Sequence, residues 1–138
     1  FLQAAKTCEQ YKVRIGLENL PPGVTEDFHK LMAKFPPGVL GFCYDSGHAN
    51  MSKQPELIET FGSRLAALHL HDNHGEKDEH AIPGYGTVPW ARIAKAIKGA
   101  GYSKPINFEL TLRDPQRDPV DFVREAFAKC SAFAQQAA

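Results

Sequence analysis

Glu18, Asp45, His71 and Glu109 are ligand-type residues, and each closes a short segment that alternates small or polar with bulky apolar positions. Arg14, Gly16 and Glu18 share one parity of the first segment, and Val13, Ile15 and Leu17 the other. Val39, Gly41, Cys43 and Asp45 oppose Leu40, Phe42 and Tyr44; Ala67, His69 and His71 oppose Leu68 and Leu70; Asn107 and Glu109 oppose Ile106, Phe108 and Leu110. Side chains at i, i+2 and i+4 of a strand point to one face. Four strands of this design would therefore bury an apolar face under helices and bring four ligand-type groups to one edge. Carboxylates gathered away from water need a partner or a cation. The pattern predicts a metal site at Glu18, Asp45, His71 and Glu109, whose hard, oxygen-rich donors suit Mn²⁺, Mg²⁺ or Co²⁺ and admit Zn²⁺.

Five of the six histidines, His48, His69, His71, His74 and His80, fall between positions 48 and 80. Imidazoles concentrated beyond the second and third strands point to ligation or proton transfer. His69 is expected one layer below the metal as a hydrogen-bonded interior group. His74 is expected in a solvated loop, and His29 on a helix surface.

The elements that must carry these groups follow from pattern and punctuation. Residues 1–12 read as helix and 13–19 as a strand stopped by Pro21-Pro22-Gly23. Thr25 is a candidate N-cap for a helix whose stripe is Phe28, Leu31, Met32 and Phe35. A strand at 39–45, a helix from Pro55 to Gly62 and a strand at 64–72 come next, then a polar loop to 88. Pro89 opens another helix, Pro105 a fourth strand, and Pro119 a final helix carrying Phe122, Val123, Ala126, Phe127, Cys130 and Phe133. Regular βα alternation implies an α/β fold with a parallel sheet.

The chain has 138 residues, no net charge and 43% hydrophobic residues, with a mean hydropathy of −0.36. Sixteen basic residues balance sixteen acidic ones, so nothing global draws the chain to nucleic acid or to an anionic membrane. No apolar run approaches the roughly 20 residues of a membrane helix. Cys8, Cys43 and Cys130 are odd in number and far apart, which fits reduced thiols in the cytoplasm. A closed (β/α)₈ barrel takes about 250 residues, so four strands in this length match half of one. The start at Phe1 within a helical pattern agrees with a truncated single domain, 1–138. An open half barrel is expected to pair, either with the missing N-terminal half or with a second copy of itself.

The segments IGLENLPP (15–22), YDSGHAN (44–50), LHLHDNHG (68–75), DEHAIPGYGTVPW (78–90) and PINFEL (105–110) resemble successive motifs of the xylose isomerase-like TIM-barrel superfamily, strands five to eight. That superfamily includes sugar phosphate isomerases and epimerases, ketose 3-epimerases and inosose dehydratases, and is related to the endonuclease IV family. The resemblance implies that Glu18, Asp45, His71 and Glu109 hold a divalent metal. It implies too that His48 and His80 contact substrate, and that Asp78 and His80 supply a second metal site if the endonuclease pattern applies. Tyr85 stands where the sugar enzymes often carry Glu in P-G-E-G, and Val88-Pro89-Trp90 replaces their I-D-W continuation.

The implied activity is isomerisation or epimerisation of a small sugar or sugar derivative through a metal-stabilised cis-enediolate, with Glu18 and Glu109 removing and returning the proton from opposite faces. Dehydration of a keto-polyol would use the same proton abstraction. Endonuclease IV-like phosphodiester hydrolysis is a further alternative, weakened by the neutral charge. A non-enzymatic alternative is an inactive truncated chain that keeps the site residues without turnover.

Overall fold

A computed structural model describes all residues, Phe1–Ala138. Helix α1 (Leu2–Tyr11) leads into strand β1 (Ile15–Glu18), helix α2 (Glu26–Lys34) and strand β2 (Leu40–Asp45). Two short helices follow, α3 (Ser46–Met51) and α4 (Leu57–Phe61), then a 3-10 turn (Gly62–Arg64), strand β3 (Leu65–His69), helix α5 (Trp90–Gly99) and helix α6 (Pro119–Ala137). The strands form one parallel sheet in the order β1-β2-β3. Thr25 caps α2 as its sequence suggests, accepting from the Phe28 amide at 3.3 Å. Asp118 does the same for α6, with Pro119 in the first helical position.

The expected fourth strand does not form. Residues 105–110 make one isolated parallel bridge, Leu70 to Phe108, in which the Leu70 amide donates to Asn107 O (3.1 Å) and the Glu109 amide to Leu70 O (3.0 Å). Pro105 has no N–H to give, and no strand lies beyond this segment to pair with its outer side. The fold is therefore α/β with a three-stranded parallel sheet, and the PINFEL segment keeps only the position of a fourth strand. β3 is also shorter than the expected 64–72. Beyond His69 the chain leaves the ladder, and Asp72 pairs instead, in antiparallel sense, with Ala81 of its own loop.

Alternation correctly separates the two faces of the sheet. Leu40, Phe42, Tyr44, Leu68 and Leu70 are fully buried and pack with Phe28 and Met32 of α2, Ile58 and Phe61 of α4, and Ile93 and Ile97 of α5. Phe28, Phe42 and Phe61 form an aromatic cluster with centroids 5.3 to 5.9 Å apart. On the opposite face Gly16 pairs with Gly41, next to Ala66. A Cβ on Gly41 would lie 2.6 Å from both Ala66 Cβ and Arg14 Nε, so this position needs glycine for close approach. The stripe expected on α6 is buried only in part. Phe133 packs edge-on against Trp90 and Phe108, whereas Val120, Val123 and Phe127 are 62 to 75% exposed. Helix α5 and the 105–110 segment cover one side of this helix and leave the other without a partner.

Candidate metal centre

Strand register sets the height of the candidate groups. Asp45, the last residue of β2, lies opposite His69, the last of β3, and Glu18 closes β1 opposite Cys43. The Leu70–Phe108 bridge brings Glu109 to the same edge. His69 Nδ1 then lies 3.4 Å from Glu18 Oε2 and 3.3 Å from Glu109 Oε1. Ligand atoms of Asp45, His69 and Glu109 lie within 4.8 Å of one another, as do those of Glu18, Cys43 and His69. The two glutamates thus converge on one imidazole nitrogen.

His71 does not join that group. It is completely buried, with Nε2 3.2 Å from Asp45 Oδ1 and 3.4 Å from Asp78 Oδ1. Its ring stacks on His80 at 4.2 Å with a 5° interplanar angle. Ligand atoms of His71, Asp78 and His80 form a second cluster. His48 spans the two: its Nδ1 is 3.1 Å from Glu18 Oε1, and its Nε2 is 3.6 Å from Asp78 Oδ2. All four expected ligands therefore reach one edge, but Glu18 and Glu109 converge on His69, while His71 bridges Asp45 to Asp78. His69 stands at the level of the carboxylates rather than beneath them. In L-H-L-H both imidazoles have the same parity, and only the register, which ends β3 at His69 opposite Asp45, separates their surroundings. His74 is exposed and pairs with Glu79 at 2.9 Å, as a loop residue would.

Asp45 Oδ2, both ring nitrogens of His71 and Asp78 Oδ1 are buried without a hydrogen-bond partner. Buried polar groups without partners are costly. A cation among them would satisfy several at once, so Asp45, His71 and Asp78 fit a divalent metal. Burial opposes charge on His71, but Asp45 and Asp78 outweigh it and raise its pKa. For Asp78 burial works upward, yet His80 and His71 prevail and lower it. Burial, followed by the charges of Glu18, Asp45 and Glu109, pushes the Cys43 thiol up to about 12, keeping it protonated beside the carboxylates.

Several residues that spacing did not single out hold this arrangement. Asn19 clamps the end of β1 to β2, donating to Asp45 O at 2.9 Å and accepting from the Asp45 amide at 2.8 Å. Asp45 Oδ1 caps α3 by accepting from the His48 amide at 2.7 Å, which fixes D-x-x-H as one structural unit. Ser46 exchanges hydrogen bonds with the His71 backbone. Gly47 leaves the space that the His71 ring occupies, and a Cβ there would collide with it. Buried Asp72 organises the long loop, accepting from the amides of Asn73, Gly84 and Val88 and from Trp90 Nε1. Arg113 donates to the carbonyls of Asp78 and Glu79, each at 2.6 Å.

The family model described as xylose isomerase-like TIM barrel matches residues 1–130, and the chain belongs to that family. It is 39% identical over 108 residues to an uncharacterised protein of Sinorhizobium fredii, covering 74% of this chain and 35% of that protein. An uncharacterised protein of Methanocaldococcus jannaschii is 31% identical over 117 residues, covering 78% and 40% respectively. Among solved structures, a D-tagatose 3-epimerase-like protein superposes with a TM-score of 0.76 at 25% identity, over 99% of this chain and 52% of that one. A D-psicose 3-epimerase from Clostridium cellulolyticum H10 gives 0.74 at 23% identity, over 96% and 52%, a likeness of fold. The chain spans about half of these structures and between a third and two fifths of the two relatives.

Proposed function

We propose that this chain carries the metal-holding half of a sugar isomerase or epimerase centre. One observation supports the reading above others: Glu18 and Glu109 both approach one nitrogen, Nδ1, of a single imidazole. Glu18, Asp45 and Glu109 would hold a divalent cation (Mn²⁺, Mg²⁺, Co²⁺ or Zn²⁺) together with an imidazole, for which we take His69, within reach of both glutamates, in place of the His71 expected from the sequence. The cation would supply Lewis acidity toward neighbouring carbonyl and hydroxyl oxygens of the substrate. One glutamate takes the proton from the carbon beside the carbonyl and the other returns it from the opposite side. His48, hydrogen-bonded through Nδ1 to Asn19 O at 3.1 Å, orients substrate oxygen or gives it a proton, and His80 contacts the substrate.

A second reading is favoured by the cluster of Asp78, His71 and His80, which offers donors for a second cation and so suits phosphodiester hydrolysis. Dehydration of a keto-polyol shares the first proton transfer. Within the first reading, residues 1–138 form the C-terminal half of a barrel. The other half, either the preceding part of the same fold or a second copy, would cover the exposed apolar groups of α6. The free thiols of Cys8, Cys43 and Cys130 support a reducing compartment, for which we propose the cytoplasm. No helix is long and apolar enough to cross a membrane.

The test is the exchange of the α-proton of a ketose panel in D₂O, followed by NMR on the chain assembled with its complementary half. Epimerisation with deuterium incorporation is expected; loss of water from the ketose would move the assignment to dehydration. Cleavage of abasic DNA without ketose exchange would move it to hydrolysis.

A further inference from the structure

The segment 77–81 separates the carboxylate and imidazole centre from a cavity of about 400 Å³ on its other side. Asp78 and His80 turn toward the centre, while Lys77, Glu79 and Ala81 line the cavity. Ile82, Leu112 and Phe122 give it apolar walls, and Arg113 and Arg117 stand with Lys77 as its cations. The volume is within the usual range of small-molecule sites, which pair apolar walls with a few placed polar groups.

The charged groups are not equally free. The Glu79 carboxylate is engaged by His74 at 2.9 Å, and Asp114 Oδ1 accepts the Gln116 amide at 2.8 Å. Lys77, by contrast, makes no side-chain hydrogen bond or ion pair. Arg113 uses Nε and Nη2 on the Asp78 and Glu79 carbonyls, which leaves Nη1 unused. Arg117 is held by one Glu125 oxygen through Nη2 and lies over the Phe122 ring at 5.2 Å, with Nη1 and Nε unused. Tyr85 completes this rim, donating to the other Glu125 oxygen at 2.7 Å. Its phenol thus ties the loop to α6 and shapes the cavity, at the position where the sequence departs from P-G-E-G. Beside one unused carboxylate oxygen, Asp114 Oδ2, three cations keep unused donors, and guanidinium donors suit planar or tetrahedral oxyanions.

We propose that this cavity is a second small-molecule site, taking an organic anion that carries a phosphate or carboxylate on a compact apolar body. The anionic group sits among Lys77, Arg113 and Arg117, and the body lies against Ile82, Leu112 and Phe122. The inference is independent of the ketose chemistry proposed above. Because the wall is shared, such a ligand would brace the segment that carries Asp78 and His80.

The test is a titration of ¹⁵N-labelled protein with phenyl phosphate, benzoate and neutral benzyl alcohol, read at the amides of Ala81, Ile82, Thr111 and Leu112. At least one anion is expected to shift these amides while the alcohol does not, and the stronger of the two identifies the preferred group. Lys77→Ala and Arg117→Gln, each checked for an unchanged fold by circular dichroism, are expected to weaken binding about tenfold. The proposal is overturned if neither anion shifts these amides, if the alcohol binds as well as the anions, or if both variants bind like the parent chain.

Discussion

His69 and His71 are two residues apart on one strand face, yet their surroundings differ. His69 meets the two glutamates, whereas His71 is buried between Asp45 and Asp78. If His69 is the ligand, His69→Ala should weaken divalent-metal affinity far more than the loss of an outer contact, which typically costs about 10- to 100-fold. The glutamates carry a separate expectation. Glu18→Gln and Glu109→Gln keep the shape of each side chain but remove its basicity, so turnover should fall about 10²- to 10⁴-fold with the fold retained. Unchanged α-proton exchange in either variant would remove that residue from the proposed chemistry. The carboxylates and the imidazole-rich stretch were legible in the sequence because strand parity carries them. The choice between two imidazoles of equal parity was not, since it depends on where the ladder stops.

Among the elements, the long loop after β3 depends on a single buried carboxylate. Asp72 accepts four hydrogen bonds from the loop backbone and Trp90. Asp72→Ala should destabilise the protein by at least the ~1–3 kcal/mol of leaving buried donors unpaired, measurable by urea denaturation; a stability within error of the parent would contradict this role. The loop and α6 are joined at Tyr85, Arg117 and Glu125. The Tyr85 hydroxyl, followed by the Arg117 guanidinium, holds the Glu125 carboxyl below its usual range. A lowered folded-state pKa means that this contribution is present above the unfolded pKa and disappears as pH falls through the folded value. Thermal melts on the acid side should therefore decline less in Glu125→Gln than in the parent chain. All helices but α3, and the Thr25 cap, were readable from local chemistry. The fourth strand was misjudged because PINFEL has strand composition, but a strand also needs neighbours, and this segment has one bridge on one side. Asp72 escaped notice because three of its four partners, two backbone amides and the Trp90 indole, lie between 12 and 18 positions away.

For the whole molecule, the exposed Val120, Val123 and Phe127 lie along one side of α6 at helical spacing. A contiguous apolar face of this kind marks an interaction surface or an aggregation hazard. The chain alone is expected to self-associate in sedimentation velocity, and Val123→Lys with Phe127→Glu should shift it toward monomer. A monodisperse parent monomer would contradict the proposed pairing. The arrangement at the strand ends stands or falls more directly on metal binding, read by electron paramagnetic resonance during a titration with Mn²⁺. The account predicts that Mn²⁺ binds the parent chain, that Glu18→Gln/Glu109→Gln abolishes binding, and that His69→Ala weakens it more than His71→Ala does. Absence of Mn²⁺ binding by the parent, or parent-like affinity in His69→Ala, would contradict it.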